Sequence, residues 1–111
     1  MPEISFPVEV IEGVPVVTAA EEVDLANAGL LQEALGEVAG RGHVLVVVDM
    51  SRTRFCDSAG LNALVAADRR ARAEGGEVRL VVTGESVLRL VRLTGVDRVL
   101  AVYPSLEEAL T

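Results

Sequence analysis

The chain has no lysine, no tryptophan, one cysteine, one histidine and only three aromatic side chains, Phe6, Phe55 and Tyr103. Each shortage removes a class of function. So few aromatic rings cannot form the stacking platform that single-stranded nucleic acid needs, and the core must be built from Val, Leu, Ile and Ala, which favours a small α/β or α+β fold. A lone Cys56 excludes an internal disulfide and fits a cytoplasmic location. The lone His43 leaves a Ser-His-Asp triad no second choice, and it falls at a helix-to-strand turn with no identified partner, so hydrolase activity is not expected. There is no Cys/His cluster to suggest zinc and no metal-loop spacing among the carboxylates, so no metal or cofactor is expected. The longest apolar run, Val44 to Val48, is far too short to cross a bilayer. Met1-Pro2-Glu3-Ile4-Ser5 lacks the basic start and apolar stretch of a secretory signal, so membrane insertion is not expected either.

What is present is acidic and apolar. Seventeen Asp and Glu face ten basic residues, all arginine, for a net charge of -7. A phosphate backbone would be repelled, so no direct nucleic-acid contact is expected, while a protein partner with a basic patch is compatible. With 111 residues, 50% of them hydrophobic, the chain can bury one core, and residues 1–111 read as a single domain.

Ile4, Phe6, Val8 and Val10 alternate with mostly polar residues as in a half-buried strand, and Pro7 puts that strand at a sheet edge. Glu12-Gly13 reads as a turn, and Val14 to Ala19 returns to complete a hairpin. Asp24 precedes a helix carried by Leu31, Ala34, Leu35 and Val38 and stopped at Gly40-Arg41-Gly42. Val44 to Val48 is an unbroken apolar run rich in valine, suited to a central strand covered on both faces. After a polar stretch from Asp49 to Ser58, Leu61, Leu64, Val65, Ala67 and Ala71 mark a second helix that ends at Gly75-Gly76. Val78 to Val82 is a strand. Val87, Leu88, Leu90 and Val91 form a third helix stopped by Gly95, Val99 to Tyr103 is the last strand, and Ser105-Leu106-Glu107-Glu108 is a capping box for a short fourth helix. Strands alternating with about four helices after an opening hairpin give an α/β fold with a mostly parallel sheet.

The stretch that carries chemistry is Asp49-Met50-Ser51-Arg52-Thr53-Arg54-Phe55-Cys56-Asp57-Ser58-Ala59-Gly60-Leu61, which joins a buried strand to a helix. Ligand sites in open α/β sheets gather at the carboxyl ends of strands, and a helix start favours an anion. Ser58 suits the N-cap or the first turn, and Gly60 lets another backbone come close.

With Asp57-Ser58-Ala59-Gly60-Leu61 behind an apolar strand that ends in Asp49, and the acidic turn Glu22-Val23-Asp24-Leu25 before the first helix, the chain resembles STAS domains of the anti-sigma factor antagonist group over nearly its full length. The resemblance implies a STAS-like α/β fold and a switch that is not an enzyme. The unphosphorylated form would bind an anti-sigma factor that is also an ATP-dependent serine kinase, and so free a sigma factor. Phosphorylation of Ser58 would end binding, and a phosphatase would restore it. Asp24, Arg54, Asp57, Ser58, Gly60, Leu61 and Asn62 are the expected contact residues, with ATP and Mg²⁺ belonging to the partner. In two places the chain departs from the family's pattern: Ala59 stands where Ser or Thr is frequent, which removes a rival acceptor, and Glu21 stands where the acidic turn often has glycine.

Plainer readings stand beside these. Ser58 can be an ordinary helix cap, and Asp24 and Asp57 can simply favour helix starts electrostatically. Arg52 and Arg54 can be a solvated loop face, and Cys56 a small packing residue. Gly40-Arg41-Gly42 follows a helix and precedes a strand, the reverse of a phosphate-binding glycine loop. Two other functions use the same fold class: a subunit of a membrane lipid or anion transporter assembly, and a small nucleotide-binding module or enzyme.

Overall fold

Alternation of apolar residues through four strands divides the core into two faces. The computed structural model describes residues 6–111. In it β1 (Val8–Ile11) turns back through Glu12-Gly13 into β2 (Val14–Thr18), and the two are antiparallel. The remaining strands, β4 (Leu45–Asp49), β6 (Glu77–Val81) and β7 (Ala101–Tyr103), add in parallel, in the order β1-β2-β4-β6-β7.

Val17, Val46, Val48, Val78 and Leu80 share one face with Leu31, Leu35 and Val38 of α1 (Ala28–Gly40), Leu61 and Leu64 of α2 (Ser58–Ala73), and Val87 and Val91 of α3 (Glu85–Thr94). Val16, Val47 and Val81, one residue out of phase, pack with Ala109 of the short helix α4 (Leu106–Ala109). Val46, Val47 and Val48 are all buried, as a strand covered on both faces requires. At the exit from α2 a Cβ on Gly76 would collide with the Val44 carbonyl, so only glycine lets β6 begin there. Half of the capping box is formed: Ser105 Oγ accepts from Glu108 N at 3.2 Å, while the Glu108 carboxylate turns back to the Ser105 hydroxyl, accepting from Oγ at 3.4 Å, instead of to the Ser105 backbone N–H.

Four expectations change. Of the alternating residues before the first turn, Ile4 lies outside the described residues and Phe6 is buried, but Val8 and Val10 are exposed, because the helical layer stops short of this edge strand. The first helix begins at Ala28, because Asp24 to Asn27 fold into a separate turn; Asn27 holds the N-cap position, but its side chain serves that turn and makes no capping bond to the helix. The last strand shortens to Ala101–Tyr103, since Val96–Arg98 form a 3₁₀ turn. Finally, the polar stretch and the acidic turn contain two strands of two residues each, β3 (Glu22–Val23) and β5 (Phe55–Cys56), which pair in parallel as a second small sheet. No helix among the described residues is long and apolar enough to cross a membrane.

Candidate functional site

The chain leaves β4 toward the carboxyl end of the sheet, and hydrogen bonds fix the loop that follows. Met50 N donates to Val81 O at 2.9 Å, and the buried Thr53 hydroxyl donates to Ala20 O at 2.8 Å. From the far side, Thr83 Oγ1 donates to Ser51 O and Ser86 Oγ to Arg54 O, both at 3.0 Å. Arg54 N and Phe55 N then reach Glu21 O at 2.7 and 3.2 Å, which starts the β3–β5 pairing and delivers Asp57 to the head of α2.

Asp57, not Ser58, is the helix cap. Its Oδ1 accepts from Ala59 N at 2.9 Å and Gly60 N at 3.1 Å, and its Oδ2 accepts from Leu25 N at 3.1 Å. Ser58 is the first residue of α2 and is exposed, with Asn62 exposed one turn further on. Below them Gly60 is a close-packing position: a Cβ there would lie 2.7 Å from Val23 Cγ1 and 2.9 Å from Cys56 Sγ. Burial, reinforced by the neighbouring Asp57 carboxylate, pushes the Cys56 thiol up to about 11. It is therefore a neutral packing group at physiological pH.

The turn before α1 is built by Asn27, which is buried. Its Oδ1 accepts from Asp24 N at 2.9 Å and its Nδ2 donates to Glu22 O at 2.7 Å, while Asp24 Oδ1 accepts from Ala26 N at 3.0 Å. This leaves Leu25 at the tip, 81% exposed. Phe55, 51% exposed, stands above a shallow apolar depression lined by Cys56, Val87 and Leu90, with Arg54 at its rim. Arg54 and Glu21, both exposed, lie 4.0 Å apart.

A protein-family model described as the STAS domain matches residues 5–109. The chain belongs to the STAS domain family. The anti-sigma-F factor antagonist RsfB of Mycobacterium tuberculosis is 32% identical over 99 residues, 89% of this chain and 80% of that protein. The crystal structure of an anti-sigma factor antagonist from Mycobacterium paratuberculosis superposes with a TM-score of 0.88 at 34% identity, covering 97% of this chain and 92% of that one. The anti-sigma factor antagonist SpoIIAA in its unphosphorylated form, 18% identical, shares the fold, with a TM-score of 0.80 over 96% of this chain and 93% of that one.

Within this STAS domain the residues singled out by sequence separate into two sets. Ser58, Asn62 and Arg54 are exposed, and Asp24 and Asp57 are partly so; all five lie around the start of α2. Gly60 and Leu61 are buried: Leu61 joins the core beneath the helices, and Gly60 seats α2 on the small sheet, so both sit under the surface and not on it. Sequence reasoning missed Asn27, Thr53, Leu25, Phe55 and Ser86. Asn27 carried a faint signal, an Asx residue three positions after an Asp in a turn. The exposure of Leu25 and Phe55 had none, because an apolar residue in a short loop reads as core.

Proposed function

We propose that this STAS domain is an anti-sigma factor antagonist. Its unphosphorylated form binds an anti-sigma factor with serine kinase activity and releases a sigma factor; phosphorylation of Ser58 switches binding off, and a phosphatase resets it. The observation that carries the reading is the placement of Ser58, an exposed hydroxyl at the first position of α2, freed from capping by Asp57, with the exposed apolar residues Leu25, bonded through its N–H to Asp57, and Phe55, in the strand that leads to Asp57, on the adjoining segments. A kinase must reach the hydroxyl, and a binding partner needs apolar anchors beside it, which Leu25 and Phe55 supply. The names of the mycobacterial relatives support the same role.

Asp24, Arg54, Asp57 and Asn62 complete the contact surface, and Gly60 and Leu61 serve it from below by holding α2 in place. Nothing catalytic is asked of this chain, which acts as substrate and ligand in the cytoplasm. A nucleotide-binding role finds less support, since the neighbouring depression sets two carboxylates, Glu21 and Glu22, against one arginine, Arg54, and the excess negative charge would oppose a nucleotide's phosphates.

The test is to incubate the chain with its cognate anti-sigma kinase and ATP and to map the product by mass spectrometry. One phosphate on Ser58 is expected, and Ser58→Ala stays bindable and unlabelled. Stoichiometric labelling that persists in Ser58→Ala overturns the assignment.

A further inference from the structure

We propose that Asp57 transmits the modification of Ser58 to the turn in front of α1, so that one covalent mark alters two loops of the surface. The inference rests on Ser58 being the acceptor and goes beyond that reading in naming the residue through which the mark acts.

Both oxygens of the Asp57 carboxylate are in use, and they join segments distant in sequence. Oδ1 holds the first-turn amides Ala59 N and Gly60 N, and Oδ2 holds Leu25 N at the tip of the other loop. The base of that loop is fixed independently: Asn27 ties Asp24 N to Glu22 O, and Glu22 and Val23 pair with β5. At the tip, Leu25 N has Asp57 as its partner, in an exposed bond of 3.1 Å.

A phosphate on Ser58 places close to two negative charges on the residue next to this carboxylate. The first-turn amides of a helix are the donors an anion seeks, and here the carboxylate already holds two of them. Phosphate and carboxylate therefore repel each other and compete for the same N–H groups. No arginine pairs with Asp57 among the described residues, Arg54 being turned to Glu21, so no cation relieves the conflict. The two amide bonds on Oδ1 lie within the helix start and are partly buried, whereas the Leu25 bond is single and exposed, and it yields first. The result is a freed loop tip carrying an exposed leucine beside the modified serine.

The test uses the full chain with phosphoserine installed at position 58 by genetic code expansion, which needs no kinase. Exchange of the Leu25, Ala59 and Gly60 amides is followed by NMR in the unmodified chain, the phosphorylated chain and Asp57→Asn. Asn keeps one oxygen for the cap, but its amide nitrogen cannot accept from Leu25 N. Phosphorylation and Asp57→Asn are each expected to speed Leu25 exchange about tenfold, with Ala59 and Gly60 within about twofold in Asp57→Asn. Unchanged Leu25 exchange in the phosphorylated chain overturns the inference, as does an acceleration shared equally by core amides such as Val17 and Leu80. If the kinase labels another residue while the installed phosphate still frees Leu25, the proposed function fails and the coupling stands.

Discussion

Cys56 shows how position decides the behaviour of a single side chain. Held neutral to about pH 11 beneath Gly60, its thiol is expected to resist iodoacetamide in the native state and to react only once the chain unfolds. The same shift sets a pH dependence. The unfolded thiol loses its proton from the ordinary value of 9.0, before the folded one, so the contribution of Cys56 to stability is constant below that pH and falls as pH rises from 9.0 to about 11. Thermal melts of the wild type and Cys56→Ala over this range check it: the decline should be shallower in the variant, and parallel curves would assign it to other groups. Phe55 makes the opposite case, an aromatic side chain left half in solvent. Phe55→Ala is expected to weaken partner binding by about 1–2 kcal/mol, roughly five- to thirtyfold, with little change in melting temperature. Titration calorimetry of the variant against the anti-sigma factor decides this, and full affinity would remove Phe55 from the interface.

The elements differ in what fixes them. β4 and α2 were legible in the sequence because Val44 to Val48 and the Leu61–Leu64–Ala71 spacing each carry many mutually consistent residues. β3 and β5 were not, since two residues have no period and the strands exist only through pairing across the fold. The cap of α2 was half legible: Asp57 and Ser58 are both good N-caps, and the choice falls to Asp57 because β5 ends directly before it. The far half of α2 is secured by a residue with no sequence signal of its own. Asp68, fully buried, accepts from Val78 N at 3.0 Å through Oδ1 and from Arg72 Nε at 2.8 Å through Oδ2, clamping the helix to β6. Asp68→Ala leaves the Val78 amide buried without its acceptor and is expected to cost about 1–3 kcal/mol in urea denaturation. A loss below about 0.5 kcal/mol would mean that the clamp is dispensable.

At the scale of the whole molecule, a charge of -7 on 111 residues creates a long-range field as well as local contacts. If the anti-sigma factor presents a basic face, association is steered, and the on-rate should fall several-fold between about 50 and 500 mM salt while dissociation changes less. Stopped-flow mixing tests this, and a salt-independent on-rate would leave apolar contact as the driving force. The proposed phosphorylation would carry the charge to about -9, and a phosphorylated chain would then be expected to encounter a basic partner more often while binding it less well. The small β3–β5 sheet has a consequence in time. Its strands come from opposite sides of α1 and β4, so the surface around Ser58 cannot exist until both have docked. Such a non-local pairing costs more loop-closure entropy than the local β1–β2 hairpin. A chain still emerging from the ribosome, or one trapped half-folded, has the serine but not its setting. Under the proposed role, a partner would meet this surface only on chains that have finished folding.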